Sequence, residues 1–441
     1  MSNPPVVPKH RSAPVALFLV TALVTALAVS PISASAAPAF SPTPAATIPA
    51  GRVAAGLDRP ELRRLLDTVP AAGAPGALAA VRVDRQAWNG GAGIADLAKA
   101  RPMRPQMRHR IGSITKTFVA TTLLQLVDEG RLGLDDPVGQ WLPGVLPADL
   151  GQQVTVRMLL NHTSGIGNYT DALLSSLAGV VAVGTTTYTP AELVAIGVEL
   201  PVTGAPGEKH TYSNTNYILA GLLVARVTGN DPAAEVQRRI LRPLRLTDTY
   251  FPGAEPTIRG PHAGAYFAPL GVRDFSTYGM TWAWTAGEMI ATMADLNTFF
   301  RALLDGSLLS PATLAEMRTT VPFDPDVPAA GGYGLGIYEL PTPCGSLWGH
   351  DGAVIGQVTI SLHSPDGARQ SSLALNISHF HVSAEPHPFI VALNAFLMQA
   401  HCPGSAATGS AATGDAKSGT AQPTGDLPLP GIAGLRGPLG W

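Results

Sequence analysis

The sequence is poor in cysteine and in charge. Two of its 441 residues are cysteine, Cys344 and Cys402, and only 14% carry a formal charge. The basic residues do not cluster into a patch for nucleic acid, and a net charge of −2 gives no general attraction to an anionic membrane. The hydrophobic share of 46% is ample for a large core. The composition therefore excludes a general nucleic-acid-binding role.

Long apolar runs are absent after the N-terminal region. Residues 15–29 form such a run, preceded by Lys9, His10 and Arg11 and followed by Ala34-Ser35-Ala36. This order is typical of an export signal, and the run is short for a membrane span. We expect residues 1–36 to be a cleaved signal peptide and the protein to be secreted, with an uncleaved anchor as the alternative. Cleavage would leave 27 basic against 31 acidic residues, a net charge of −4.

The two cysteines of an exported protein meet an oxidising compartment. A bridge between Cys344 and Cys402 would hold the C-terminal segment against the strand region before His350. The alternative is a pair of buried, unpaired thiols.

The remaining chain divides by composition. Residues 37–50 are a lead-in rich in proline and alanine, and residues 404–441 are rich in Gly, Ala, Ser, Thr and Pro. The latter segment cannot bury enough apolar surface to offset its ordering entropy, so we expect a disordered tail. No internal linker divides residues 45–403, which predicts one two-lobed domain over residues 51–403.

The pattern of strands and helices predicts an α+β fold. Residues 76–83 and 86–95 favour a hairpin, residues 334–376 favour further strands including one at 354–362, and residues 388–399 favour a helix. Between them lies a helical lobe at about residues 128–284. We predict an antiparallel sheet flanked by helices, with a site in the crevice between the lobes.

Ser113 and Lys116 form the sequence pattern that most specifically indicates catalysis. Positions i and i+3 share a helix face, so the Lys116 amine can lie beside the Ser113 hydroxyl and help remove its proton. The apolar stripe that follows predicts a buried helix ending at Gly130. The alternative is that Ser113 caps the helix and Lys116 is solvated.

Two further patterns lie far along the chain. Tyr212-Ser213-Asn214 precedes an apolar helical run at residues 217–223, and it offers a phenol for proton transfer beside an amide; an Asx-type turn is the alternative. His350-Asp351-Gly352-Ala353 precedes the predicted strand, where a glycine-flanked backbone leaves N–H groups to face a ligand.

Other candidate residues have weaker support. The chain has no Gly-x-Ser-x-Gly elbow, so we interpret His162 as a turn residue rather than a catalytic histidine. The cluster His379, His381 and His387 lacks a His-Glu-x-x-His pattern, so we expect no metal there and no metal or other cofactor elsewhere.

The three motifs together resemble those of the serine penicillin-recognising hydrolases, most closely the secreted D-alanyl-D-alanine carboxypeptidases and class C β-lactamases. Residues 156–165, 282–287 and 295–300 also resemble segments of that family, and the resemblance covers about residues 55 to 402. It implies a β-lactamase/transpeptidase-like fold and a substrate such as a small molecule, a cell-wall peptide or a β-lactam. We expect a monomer.

The resemblance also implies a role for each residue. Ser113 would form an acyl-enzyme, Lys116 would take its proton, Tyr212 would protonate the leaving group and Asn214 would hold the substrate's amide. The backbone N–H groups of Ser113 and Ala353 would form the oxyanion hole, with His350, Asp351, Gly352 and Trp282 lining the substrate site.

One departure from the family changes the expected substrate. Asp351 stands where the family usually has threonine, and a carboxylate there repels a substrate carboxylate. No Lys or Arg occurs between Arg318 and Arg369, so a protonated His350 is the only possible cation within the motif. Carboxypeptidase activity is thus disfavoured relative to an esterase or amidase on the same fold. A non-catalytic module that senses a peptide or β-lactam is the other alternative.

Overall fold

The computed structural model describes residues 56–268, 272–378 and 388–403. The predicted histidine cluster at residues 379–387 and the predicted signal, lead-in and tail lie outside these ranges.

The strands of the described residues are β1 (Gly76–Val83), β2 (Gln86–Asp96), β3 (Arg101–Pro102), β4 (His109–Arg110), β5 (Tyr266–Phe267), β6 (Arg273–Asp274), β7 (Ile290–Ala291), β8 (Val321–Pro322), β9 (Gly332–Tyr333), β10 (Tyr338–Thr342), β11 (Gly345–Val354), β12 (Gln357–His363), β13 (Arg369–Leu375) and β14 (Ile377–Ser378).

The α-helices are α1 (Arg59–Ala71), α2 (Thr115–Asp128), α3 (Val138–Trp141), α4 (Ala148–Gln153), α5 (Val156–Leu160), α6 (Tyr169–Leu173), α7 (Leu177–Val183), α8 (Pro190–Glu199), α9 (Asn214–Thr228), α10 (Pro232–Val236), α11 (Trp284–Gly287), α12 (Met293–Leu304), α13 (Pro311–Met317) and α14 (Pro388–His401). Short 3₁₀ turns occupy Gly112–Ile114 and Pro328–Ala330, and a π-helical turn occupies Gln237–Leu241.

A nine-stranded antiparallel sheet joins both ends of the described chain. Its order is β3-β2-β1-β13-β12-β11-β10-β9-β8, so the first hairpin pairs directly with a strand from near the C-terminus. The β1–β2 hairpin turns at Asp84-Arg85, as predicted, and Asp84 adopts a left-handed φ of 52°. The predicted α+β sandwich with an antiparallel sheet is confirmed.

Helices cover both faces of this sheet. Because side chains alternate along a strand, Ala77, Ala79 and Val81 of β1 face α1 and α14, while Leu78 and Ala80 face the cluster that contains α2, α9 and α12. In that second cluster Phe118 of α2 stacks on Phe299 of α12, with ring centroids 3.7 Å apart. The sheet thus holds α2, and with it the Ser113 region, in the centre of the protein.

The prediction of one strand over residues 354–362 is wrong. The chain instead turns at Ile355-Gly356, which separates β11 from β12. Gly356 has a left-handed φ of 80°, and an added Cβ would lie 2.6 Å from the Ala265 backbone, so this turn needs glycine. As a result, His350 to Ala353 lie within β11 rather than ahead of a strand.

The predicted Cys344–Cys402 disulfide is present in the structure. The two Cα atoms lie 5.8 Å apart, and the bridge ties the end of α14 to the loop between β10 and β11. Separately, none of the helices in the described ranges is both long and apolar enough to cross a membrane.

Loss of this disulfide should destabilise the fold. For a sequence separation of 58 residues, the chain-entropy model gives a loss of about 4 kcal/mol in the free energy of unfolding. Denaturant unfolding of the double variant Cys344→Ser/Cys402→Ser measures it. Reductant should lower the stability of the wild type to that of the variant and leave the variant unchanged; equal stability in both redox states would contradict this expectation.

Candidate active site

Ser113 lies in a 3₁₀ turn that leads directly into α2. Its Oγ is 2.9 Å from the Nζ of Lys116, one turn further along. Gly112 before it has a left-handed φ of 55°, and a Cβ there would lie 2.7 Å from the backbone N of Ala353. A glycine at 112 therefore permits the close approach of the serine turn to β11.

The Lys116 amine is fully buried. Nζ lies 2.7 Å from Asn214 Oδ1 and 2.7 Å from the carbonyl oxygen of Ala286 in α11. Burial lowers the pKa of Lys116 well below its ordinary value, although the charge of Asp351 opposes the shift. In its neutral form the amine has two N–H groups, which these two oxygens can accept. Its lone pair is then left for the proton of Ser113.

Tyr212 completes the group of reactive side chains. Its phenol hydrogen-bonds with Ser113, and the Lys116 Nζ lies 4.9 Å from the centroid of its ring. Burial raises the pKa of Tyr212, a shift that the Ser113 hydrogen bond opposes and Asp351 reinforces. The phenol consequently keeps its proton at neutral pH and is suited to act as an acid.

The orientation of Asn214 follows from a neighbour that the sequence analysis missed. Asn168 Oδ1 accepts the backbone N–H of Asn214 at 2.9 Å, at the start of α9. Because that donor requires an oxygen, the Asn214 atom 3.2 Å from the same Oδ1 must be Nδ2. The second Nδ2 hydrogen goes to Thr170 Oγ1 at 3.1 Å.

This arrangement gives Asn214 a role beside the substrate binding that the family resemblance implies. Its nitrogen is engaged by Asn168 and Thr170 and its oxygen by Lys116. Asn214 in this structure positions the amine. The sequence gives no signal for this contact, because Asn168 is a single polar residue 46 positions before Asn214.

The edge of β11 faces the serine turn. The neighbouring strand β10 pairs only with residues up to Gly349, and Gly352 and Ala353 beyond it pack against the backbone of Gly112 and Ser113. This backbone contact includes Ser113 N and Ala353 N, the two amides that the resemblance assigns to the oxyanion hole.

His350 does not supply the cation that the motif could have offered if this residue were protonated. Its Nδ1 donates to the carbonyl of Asp351, which leaves Nε2 to accept the hydroxyl of Tyr333 at 2.7 Å. The ring is 1% exposed, and burial, with Lys116 nearby, lowers its pKa to about 3. His350 supports the strand from behind and carries no charge toward the substrate.

Asp351 is buried in the region of the reacting groups. An ionised carboxylate there raises the pKa of Lys116 and of the phenols of Tyr212, Tyr333 and Tyr338.

His162 packs against the Tyr212 ring, with ring centroids 4.2 Å apart, whereas Trp282 lies in an apolar cluster. The Trp282 indole is 4% exposed within an apolar cluster with Tyr278, Met280 and Val354, so it contributes packing rather than an open face. His162 has a left-handed φ of 62°, and its Nδ1 accepts the backbone N–H of Ser213, which fits the predicted turn role. Among the described residues no cluster of potential metal ligands occurs.

Glu288 is a second residue that sequence reasoning missed. It follows α11, two residues after Ala286, and only 2% of it is exposed. Burial raises the pKa of its carboxyl to about 8, and the charge of Asp231 adds to the shift. An acidic residue within the apolar stretch 286–291 was the available signal.

Glu288→Gln should remove a pH dependence of stability. Between about pH 4.5 and 8 the folded protein retains a proton that the unfolded chain releases, so the free energy of unfolding falls as pH rises. From the low to the high end of this pH window, the free energy of unfolding of the variant should therefore rise by roughly 3 to 5 kcal/mol relative to that of the wild type. Unfolding of the wild type and the variant at pH 5 and 8.5 tests this, with the exposed Glu199→Gln as control. If the free energy of unfolding depends on pH in the same way for both variants, the expectation is contradicted.

Comparison with known proteins places this geometry in a family. The Beta-lactamase family model matches residues 62–393. A D-stereospecific amidohydrolase from Streptomyces sp. has a similar solved structure, with 40% identity, a TM-score of 0.68 and coverage of 73% of this chain and 94% of that one.

Two curated relatives match over shorter stretches. Esterase EstB of Burkholderia gladioli is 35% identical over 41% of this chain and 48% of its own length. PbpX of Bacillus subtilis (strain 168), which is named as a penicillin-binding protein, is 27% identical over 57% of this chain and 59% of its own length. The chain thus spans about half the length of these two curated relatives. Because the family model covers well over half of the chain and the amidohydrolase is matched almost throughout, the protein belongs to the Beta-lactamase family.

Proposed function

We propose that the protein is a serine hydrolase that forms an acyl-enzyme through Ser113 on amides or esters lacking the carboxylate that carboxypeptidases bind. The observation that carries this proposal is the Lys116 amine, buried 2.9 Å from the Ser113 hydroxyl with two oxygens accepting its N–H groups. Such an amine is a competent base without any protein carboxylate in direct contact with it among the hydrogen bonds described.

Acylation then follows from the positions of the groups. Lys116 takes the Ser113 proton while Oγ attacks the carbonyl carbon, and the amides of Ser113 and Ala353 stabilise the oxyanion. Each such donor contributes roughly 3 to 4 kcal/mol in comparable sites. Collapse of the tetrahedral intermediate breaks the bond to the leaving group, which receives a proton from Tyr212. Lys116 returns a proton to the phenol, and water releases the acyl group by the reverse sequence.

Asp351 and the neutral His350 support an esterase or amidase over a carboxypeptidase. Together they put a negative charge and no compensating imidazolium where a carboxylate-binding site would need positive charge. The similar proteins named for amidohydrolase and esterase activities are consistent with this choice.

We further propose that the enzyme works outside the cytoplasm. The signal-like residues 1–36 support export, and the Cys344–Cys402 disulfide suits an oxidising compartment.

Acylation of Ser113 distinguishes the enzyme from a sensing module. A fluorophosphonate, which carries no carboxylate, should modify the wild type at Ser113, detected by intact mass and peptide mapping. Ser113→Ala should remove the label, and Lys116→Met should slow labelling by at least a hundredfold while the protein stays folded. A sensor that binds without turnover would instead show no hydrolysis of any ester or amide.

Substrate comparison tests the role of Asp351. The wild type should hydrolyse a short-chain aryl ester faster than a D-Ala-D-Ala peptide, because the carboxylate of the peptide is repelled. Asp351→Thr should raise kcat/KM for the peptide, measured beside the ester and a nitrocefin-type lactam. No gain on the peptide would contradict this account of the pocket.

A further inference from the structure

His162 binds the backbone on both sides of Tyr212. Its carbonyl oxygen accepts the N–H of Thr211 at 2.8 Å, and its ring Nδ1 accepts the N–H of Ser213 at 3.2 Å. Thr211 and Ser213 flank Tyr212 directly in the segment that leads into α9. Because both neighbours are bound to one residue, the backbone of Tyr212 is fixed relative to His162.

The His162 ring also packs against the phenol ring of Tyr212. Their centroids are 4.2 Å apart, and the planes are tilted by 35°. The His162 ring is also 4.7 Å from the ring of Tyr333 in a T-shaped arrangement. The Tyr212 phenol hydrogen-bonds with Ser113. Its position beside the serine therefore depends on the backbone bonds and the ring contact that His162 provides.

Neighbouring side chains fix the tautomer of His162. Ser164 Oγ donates to Asn216 Oδ1 at 2.7 Å, so the Asn216 Nδ2 faces His162 Nδ1 at 3.4 Å. Because Nδ1 accepts the backbone N–H of Ser213, it carries no hydrogen, and the proton of the neutral ring is on Nε2. The ring therefore has no nitrogen available to act as a base toward Ser113.

His162 lowers the stability of the fold at two points. Its φ of 62° is in the left-handed region, which a residue other than glycine adopts at a cost. Its Nε2 is buried and makes no hydrogen bond with any of the described residues, and an unpaired buried N–H group also costs free energy. Backbone strain and an unpaired polar group retained beside a reactive side chain indicate a functional role.

We propose that His162 is a positioning residue that holds the Tyr212 phenol where it can protonate the leaving group. The inference rests on the proposed function and adds a residue to its acid step. His162 acts through the Thr211 and Ser213 backbone bonds and through ring packing, and it exchanges no proton with the substrate.

The proton transfer that this positioning serves is needed only by some leaving groups. When the bond from the tetrahedral carbon breaks, its electron pair goes to the leaving atom, and a basic nitrogen or alkoxide oxygen takes the Tyr212 proton as it departs. The protonated Lys116 then returns a proton to the phenolate. A p-nitrophenolate is stable as an anion and leaves without a proton, so its departure should not depend on the placement of the phenol.

Three esters of 3-phenylpropanoic acid test the proposal, because their leaving oxygens become more basic from p-nitrophenyl to phenyl to ethyl. His162→Gly removes the ring and suits the left-handed backbone. It should lower kcat/KM about a hundredfold on the ethyl ester and about threefold or less on the p-nitrophenyl ester. Tyr212→Phe should show the same dependence on the leaving group, and adding His162→Gly to it should change the three rates equally.

Two further variants address the bond to Ser213. His162→Asn suits a left-handed backbone and offers an oxygen to the N–H of Ser213, so it should restore kcat/KM on the ethyl ester to within about tenfold of the wild type. Asn216→Asp puts an acceptor beside Nδ1, which draws the ring proton to Nδ1 and breaks its bond with Ser213. This variant should lose about tenfold on the ethyl ester and retain the p-nitrophenyl ester rate.

Arg245→Gly is the matched control, because Arg245 is exposed and has a similar left-handed φ of 56°. It should match the wild type on all three esters. Thermal unfolding checks that each variant is folded, and Asn216→Asp decides the test if His162→Gly does not fold.

Equal losses on the three esters in His162→Gly would overturn the proposal, as would a selective loss on the ethyl ester that persists in the Tyr212→Phe background. A His162→Asn variant no more active than His162→Gly would overturn it as well. Each of these outcomes would leave the serine-hydrolase proposal intact, because that one fails only if hydrolysis and labelling do not depend on Ser113.

Discussion

The removal of the Lys116 amine from water is the constraint on which the site depends. A solvated lysine near neutral pH is protonated and cannot accept a proton from serine. Burial between α2, α9 and α11 lowers its pKa, and the oxygens of Asn214 and Ala286 accept its N–H groups without adding a full negative charge. The same burial keeps the Tyr212 phenol protonated. One desolvated region thereby produces a base and an acid a few ångströms apart.

The sheet makes this burial possible. Strands from both ends of the described chain pair in its centre, so α2 packs on a face formed by residues that are hundreds of positions apart. β11 then meets the serine turn at a place where neither Gly112 nor Gly352 leaves room for a side chain. The backbone contact brings two amides together, while Tyr333 and His350 support the strand from its other side.

The main difference from the family motif lies on β11 and not among the proposed reactive residues. Ser113, Lys116 and Tyr212 lie together in the structure, whereas Asp351 stands where the family usually has threonine. The neutral state of His350 removes the one compensating cation that the motif could have supplied. A change at one strand position can thus redirect a hydrolase toward another class of substrate, because charge in a poorly solvated cleft acts over several ångströms.

The sequence by itself determined the first hairpin, the helix after Ser113, the cysteine pair and the candidate residues Ser113, Lys116 and Tyr212 that the fold brings together, because these follow from local periodicity, turn chemistry and residue type. It did not reveal the turn at Ile355-Gly356, because the alternation of apolar residues from Val354 to Leu362 favours one uninterrupted strand. Only the tertiary structure decided that His350 is neutral, that Asn168 orients Asn214 and that Glu288 is buried. The solvation and the hydrogen-bond partners of these residues depend on segments that are distant in sequence, so the local sequence pattern does not predict them.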